Sequence, residues 1–172
     1  MLSIPLDISI SLDRDPLGSL AIVVAAAVAA LGAVVVYVLQ VRETARERKR
    51  RMCADALADA LAWLELPYRV RRRTDDSSEV LAQLAQRAHD LQERLLFHRS
   101  WLCMELPGAW QQYDDLVTAI KEATREPLQQ AWAHPPVTEP TDMNIERLFP
   151  LISEEHIQRF CAAASQHLRG LV

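Results

Sequence analysis

The histidines and cysteines are the residues of this chain whose chemistry is best suited to a metal ion. Among five histidines and three cysteines, two pairs share one spacing: His98 with Cys103, and His156 with Cys161. Residues five apart on a helix point about 140° away from one another, and zinc ligands usually have tighter spacings. We therefore assign no metal ligand and no cofactor, and expect all three cysteines to be buried free thiols.

Other catalytic patterns are also missing from the sequence. It contains no glycine-rich phosphate loop, no nucleophile elbow and no HExxH motif. The acidic pairs, such as Asp114 with Asp115, are typical of a solvated helix face. We assign no catalytic residue and expect a protein that is not an enzyme, with a metal-dependent enzyme as an alternative if the histidines and cysteines converge.

Two basic clusters are candidates for binding anions. The first is a collar that follows an apolar run, where we expect contact with anionic lipid: Arg42, Arg46, Arg48, Lys49, Arg50 and Arg51. The second lies in the segment RVRRR, which is either a solvated loop or a docking site for an acidic partner or a lipid headgroup: Arg69, Arg71, Arg72 and Arg73. Residues 74–172 hold eight basic and fifteen acidic residues, a net charge of −7, which argues against nucleic-acid binding.

The apolar run places these clusters relative to a membrane. Residues 17–41 include no charged residue, and about 20 apolar residues suffice to cross a bilayer as a helix. The run is too long for a signal peptide and lacks a small-x-small cleavage site. The basic flank follows the run and an acidic tail, residues 1–16, precedes it. The positive-inside rule then predicts a single-pass protein of the cell membrane, with its N-terminus outside and its C-terminal domain cytoplasmic.

Small residues recur along the predicted membrane helix. Ala21, Ala25, Ala29 and Ala33 are four residues apart, with Gly32 beside the last. Small residues at this spacing allow two membrane helices to approach closely. They are candidates for self-association of the anchor, although alanine is also simply common in such helices.

The rest of the chain predicts an all-α fold. Four helices are expected, over 42–66, 78–105, about 110–125 and 154–169. We place a helix cap at Asp76 and expect Leu57, Leu61 and Leu64 on the buried face of the first helix. A seam of residues three and four apart marks the second helix: Leu81, Leu84, Ala88, Leu91, Leu95, His98 and Leu102. No segment alternates with period two, so we predict a transmembrane helix, a collar over 42–51, and a cytoplasmic antiparallel bundle of about four helices over 52–172.

These features favour an interaction module over an enzyme. We expect an adaptor or scaffold under the inner membrane, which contacts membrane lipids and binds an unidentified protein partner or a second copy of itself. An alternative is an oligomeric membrane-acting effector, such as a prophage-encoded exclusion or abortive-infection factor. Only Lys49 and Lys121 are lysines among 19 basic residues, a bias that suggests a bacterial or phage origin.

Overall fold

The computed structural model describes residues 16–139 and 154–169, and these residues contain helices and no strand. Within these ranges five helices follow one another: α1 (Pro16–Leu64), α2 (Leu66–Arg71), α3 (Ser78–Glu105), α4 (Pro107–Ala133) and α5 (Glu154–Arg169). The all-α prediction, with one long apolar N-terminal helix and a helical bundle, is confirmed. The predicted acidic tail and the end of the proline-rich segment after His134 lie outside the described residues.

The chain divides into two compact units between Thr44 and Ala45, which is inside the predicted collar. In the first unit every described side chain from position 20 onward is exposed, including Val24 at 55% and Leu31 at 67%. This part of α1 is, by its length and composition, apolar enough to cross a membrane.

Two of the joins between helices in the second unit consist of a single residue. Glu65 separates α1 from α2, and Pro67 lies at the start of α2 instead of terminating α1. A single buried residue, Leu106, joins α3 to α4, and its carbonyl accepts hydrogen bonds from the amides of Ala109 (2.9 Å) and Trp110 (3.1 Å). These bonds satisfy amides that the first turn of α4 would otherwise leave without partners.

The prediction that the third helix ends near Arg125 is wrong, because α4 continues through Pro127 to Ala133. Proline removes one donor, the amide that would bond to the carbonyl of Ala123. Pro127 is buried, so packing offsets the lost hydrogen bond. The local sequence rule for proline was overridden by tertiary contact.

The main core lies along α4, which packs against α2, α3 and α5. Its buried members come from α1, α3, α4, α5 and the join between α3 and α4: Cys53, Ala56, Ala60, Leu95, Leu102, Leu106, Ala109, Tyr113, Leu116, Ile120, Phe160 and Ala164. Ala56 and Ala60 are completely buried, whereas the expected Leu57, Leu61 and Leu64 are only partly buried. The buried face of α1 is therefore its alanine face, because small side chains let the neighbouring helices approach closely.

Tyr113 is the largest side chain in this core. It is completely buried, with its ring 5.4 Å from that of Phe160, and its hydroxyl has no hydrogen-bond partner among the described residues. Burial, and to a smaller extent the charge of Asp59, raise the pKa of this hydroxyl well above its ordinary value.

A second core cluster lies at the other end of the bundle. It contains Leu66 and Val70 of α2, Leu91 of α3 and Ala131 of α4. Trp63 contacts both clusters, and its indole nitrogen donates to the hydroxyl of Thr124 (3.1 Å). This bond connects α1 to α4.

The predicted seam of α3 is buried only in its second half. Leu91, Leu95, His98 and Leu102 are buried, while the three earlier members are partly exposed. The helix is capped by Ser77, whose hydroxyl accepts from the amide of Val80 (3.4 Å), instead of by Asp76.

Candidate functional site

Arg73 organises the segment that follows α2. Its side chain is 4% exposed, and one guanidinium nitrogen donates to the carbonyls of Val70 (3.1 Å) and Ala131 (2.8 Å). The second terminal nitrogen, Nη2, donates to the carbonyls of Trp132 (3.4 Å) and His134. Arg73 therefore occupies carbonyls at the C-terminal end of α4, where a cation also interacts favourably with the helix dipole.

The loop from Arg73 to Ser77 is held by further bonds. Nε of Arg73 donates to the Asp76 carboxylate (2.6 Å), and the carbonyl of Arg73 accepts from the amide of Val137 (2.8 Å). Asp75 accepts from the amide of Ser77 (2.8 Å), and its hydrogen bonds with Ser77 lower the pKa of the Asp75 carboxyl. The loop is thus fixed to α2, to α3 and to the segment after α4.

An open groove lies between α2, this loop and the first turns of α3. We call it the basic groove; its volume is about 360 Å³ and eight residues line it: Arg69, Arg72, Arg73, Thr74, Val80, Gln83, Leu84 and Arg87. Four of these residues are arginines and none is acidic. A cavity of this size is within the range of small-molecule sites in proteins.

The arginines of the basic groove differ in how they are engaged. The side chains of Arg69 and Arg87 are exposed and form no hydrogen bond or ion pair with any residue in 16–139 or 154–169. Arg72 stacks over the ring of Tyr68 at 5.8 Å. Arg73 is directed into the protein, with its guanidinium bonded to backbone carbonyls and Asp76. Its charge is beneath the groove, but its N–H groups are already used.

The four arginines of the predicted docking set lie in different environments, and docking of a partner there stays a prediction. Arg73 is buried and is part of the fold, because a guanidinium can satisfy several carbonyls that the end of α4 leaves free. Arg71 lies outside the groove, with its guanidinium 2.8 Å from Nε2 of His134. Arg69 and Arg72 do line the groove. Sequence reasoning missed Arg87, although its position, seven residues after Val80 and four after Gln83, places it on their face of α3.

The collar residues have several roles in the structure. Lys49 forms an ion pair with Glu105 (3.2 Å), and Arg50 lies 3.7 Å from Glu47. Nε of Arg46 is buried and has no hydrogen-bond partner among the described residues. The other three are exposed and available to an anionic surface: Arg42, Arg48 and Arg51. Lipid contact by the collar stays a prediction.

The small residues of the anchor are accessible. Ala21, Ala25, Ala29 and Ala33 are all exposed, and a side chain built on Gly32 would meet no atom within 4 Å. Self-association through this face stays a prediction.

The histidines and cysteines do not assemble a metal site within the described residues, where no group of three or more His, Cys, Asp or Glu side chains could hold an ion. His98 is buried and its Nε2 lies 3.0 Å from the Asp59 carboxylate, which also pairs with Arg94 (3.3 Å). Only Cys53 is a buried thiol. The expectation that all three are buried is wrong for Cys103 and Cys161, which lie on outward faces of α3 and α5.

Cys53 is the one thiol with a clearly perturbed environment in the part of the chain that the structure describes. Burial, and secondarily the nearby Cys161, raise the pKa of Cys53 from 9.0 to about 11. A thiol with a raised pKa is less reactive at neutral pH, since the thiolate is the nucleophile. Cys53 therefore has the character of a packing residue.

Comparison with known proteins returns no match to this chain, whether with models of protein families, with curated proteins or with solved structures.

Proposed function

We propose that this protein is a single-pass, membrane-anchored interaction module with no reaction of its own. The first unit anchors the chain and the helical bundle binds a protein partner on the cytoplasmic side. The observation that carries the proposal is the fully exposed apolar part of α1, attached in the same chain to a folded bundle. Such an exposed apolar surface is stable in lipid and not in water.

A second observation supports a protein partner for the bundle. Outside α1, the large apolar side chains that stay exposed among the described residues all lie on α3: Leu96 (51%), Phe97 (57%) and Met104 (74%). Their spacing of seven and eight residues places them on one side of this helix. Aromatic residues and methionine are enriched where proteins bind one another.

Topology is tested with a membrane-impermeant maleimide on intact and opened cells. The native protein should be labelled at exposed Cys103 only after the cells are opened. In a variant with all three cysteines replaced, Ser11→Cys should be labelled in intact cells. Labelling of native Cys103 in intact cells, or recovery of the protein in the soluble fraction after alkaline extraction, would reject the anchored, N-terminus-outside arrangement.

Partner binding is tested by photo-crosslinking in the native membrane. A photoreactive phenylalanine analogue replaces Phe97 in one variant and exposed Arg125 of α4 in a control variant. We expect an adduct from position 97 that is lost on Met104→Lys and that position 125 does not give. If neither position gives an adduct with a protein of any kind, the adaptor proposal fails.

A membrane-acting oligomer is the second candidate, and the accessible alanine face of the anchor favours it. We expect Ala25→Leu with Ala29→Leu to abolish any self-crosslinking and any dye leakage that expression causes, if the protein acts this way. Enlarging Val24 and Val28 to phenylalanine is the matched control on a neighbouring face. Leakage that persists in the double leucine variant would exclude the alanine face as its cause.

A further inference from the structure

We propose that the basic groove between α2 and α3 is a binding site for a ligand that carries a phosphate group. The inference rests on the residues of the groove and does not depend on the membrane topology of the chain. It concerns a surface different from the exposed apolar side chains of α3.

The electrostatics of the basic groove favour an anion. Arg69 contributes from α2, Arg72 from the position directly after this helix and Arg87 from α3, so that cations flank the groove on two sides. In contrast, the neighbouring surface arginine Arg99 of α3 is paired with the carboxylate of Asp114 (2.7 Å). No carboxylate lines the groove, so that the positive potential there is not neutralised by a lining residue. An anion would supply the missing counter-charge.

The residue types favour phosphate among the anions. The planar guanidinium presents its N–H groups in a fork that matches two oxygens of a phosphate. Several forks directed at one concave volume can surround a group with three or four oxygens, whereas a single carboxylate offers only two. Thr74 and Gln83 add neutral donors at the same groove. The volume of about 360 Å³ is at the lower end of the range for small-molecule sites and accommodates a phosphorylated sugar or inositol.

The loop that forms one wall is fixed before any ligand arrives. Arg73 and Asp76 are bonded to each other, and the carbonyl of Arg73 accepts from Val137 (2.8 Å). Binding therefore needs to order only the exposed side chains of Arg69 and Arg87, which limits the entropy lost. Arg73 acts as a positioning residue: it holds the wall and adds charge from below, while its N–H groups remain bonded to the protein.

The test uses the full-length chain in nanodiscs of phosphatidylcholine, titrated calorimetrically with inositol hexakisphosphate. We expect saturable binding to one site that weakens as salt is added. The double variant R69Q/R87Q should weaken binding by at least about tenfold, because two charge-assisted contacts are lost. R125Q/R169Q is the matched control, since it removes two exposed arginines outside the groove, and it should bind as the native protein does.

A competition arm separates the two sources of such a phosphate. Separate nanodiscs that contain a phosphatidylinositol phosphate are added to the titration. If they compete, the groove accepts a lipid headgroup; if they do not, and the soluble probe still binds, the ligand is a soluble phosphate compound. Competition counts for the groove only if it persists in R42Q/R51Q, in which the collar has lost two arginines; with that control, either result supports the proposal.

Two results would overturn the inference. One is the absence of saturable binding of the inositol probe and of the phosphorylated lipid to the native chain. The other is equal weakening in R69Q/R87Q and R125Q/R169Q, which would mean that binding follows total charge and not the groove. Both groove positions are exposed, so the double variant should keep the native urea midpoint; if it does not, R87Q alone is compared with R125Q.

Discussion

Among the charged side chains of the bundle, Arg73 is the one whose loss we expect to destabilise the fold most. In Arg73→Met the apolar stem is retained and the charged donors are lost. The charged hydrogen bonds to the carbonyls of Val70 (3.1 Å) and Ala131 (2.8 Å), both in a buried environment, would be lost, and only the Val70 carbonyl would keep a second donor, the backbone amide of residue 73 (3.3 Å). Hydrogen bonds from a charged donor each contribute about 1.5 kcal/mol or more. These two bonds alone therefore give a loss of about 3 kcal/mol.

The remaining contacts of Arg73 add little to this figure. The carbonyls of Trp132 and His134 are only partly buried, and water can replace the lost donor. The carboxylate of Asp76 is 51% exposed, so the ion pair contributes about 0–1 kcal/mol after screening by solvent. We expect Asp76→Asn to change the stability of the bundle by less than about 1 kcal/mol.

Urea unfolding of the full-length protein in detergent, followed by tryptophan fluorescence, measures this difference. Trp132 lies beside the Arg73 contacts and should report on the end of α4. Arg69→Met is the control, because Arg69 is exposed on the neighbouring turn and should change the unfolding free energy by no more than about 0.5 kcal/mol. If Arg73→Met loses less than about 1 kcal/mol, the structural role assigned to Arg73 is refuted.

Three further predictions concern the core and are checked by the same unfolding measurement. Ala56→Leu should destabilise the bundle by about 1–3 kcal/mol through overpacking, while Ala58→Leu, at an exposed position two residues on, should not; equal effects would contradict the alanine face. Tyr113→Phe should leave stability unchanged or raise it by up to about 1 kcal/mol, because a buried hydroxyl without a partner is removed; a clear loss would reveal a hydrogen bond. The pKa of the Cys53 thiol is raised from 9.0 to about 11 in the folded state. The protonated thiol therefore stabilises the fold fully below pH 9, and this stabilisation is lost as the pH rises toward about 11. Unfolding at pH 8, 9 and 10 should show a fall of about 1 kcal/mol per pH unit at most, and the fall should be smaller in Cys53→Ala.

The sequence predicted helices well where periodicity was strong. The bounds of α3 and α5 agree with the prediction, since both segments carry a clear apolar stripe and an end signal. At Pro127 the local rule gave the wrong end for α4, because burial of the ring outweighed one missing hydrogen bond. On α1 the leucine pattern indicated the wrong buried face, since two alanines permit a closer helix contact than leucines would.

The candidate site was predictable in part. The run of arginines at the end of α2 marked the right segment, but nothing in its sequence distinguishes Arg73, which is buried, from its exposed neighbours Arg69 and Arg72. That difference arises only when the end of α4, about 60 residues later, presents its carbonyls. The participation of Arg87 depends in the same way on how α3 lies against α2.

The alanine face of α1 also has a consequence for synthesis of the chain. Ala56 and Ala60 can be buried only after the later helices have been synthesised. Phe160 and Ala164 of the same core lie roughly 100 residues further along the chain. At about 5–20 residues per second, this face waits several seconds on the ribosome before the core can close. Alanines expose little apolar surface during that interval, so the nascent segment offers little for aggregation. Leucines at the same positions would expose more apolar surface during synthesis and would make the nascent segment more prone to aggregation.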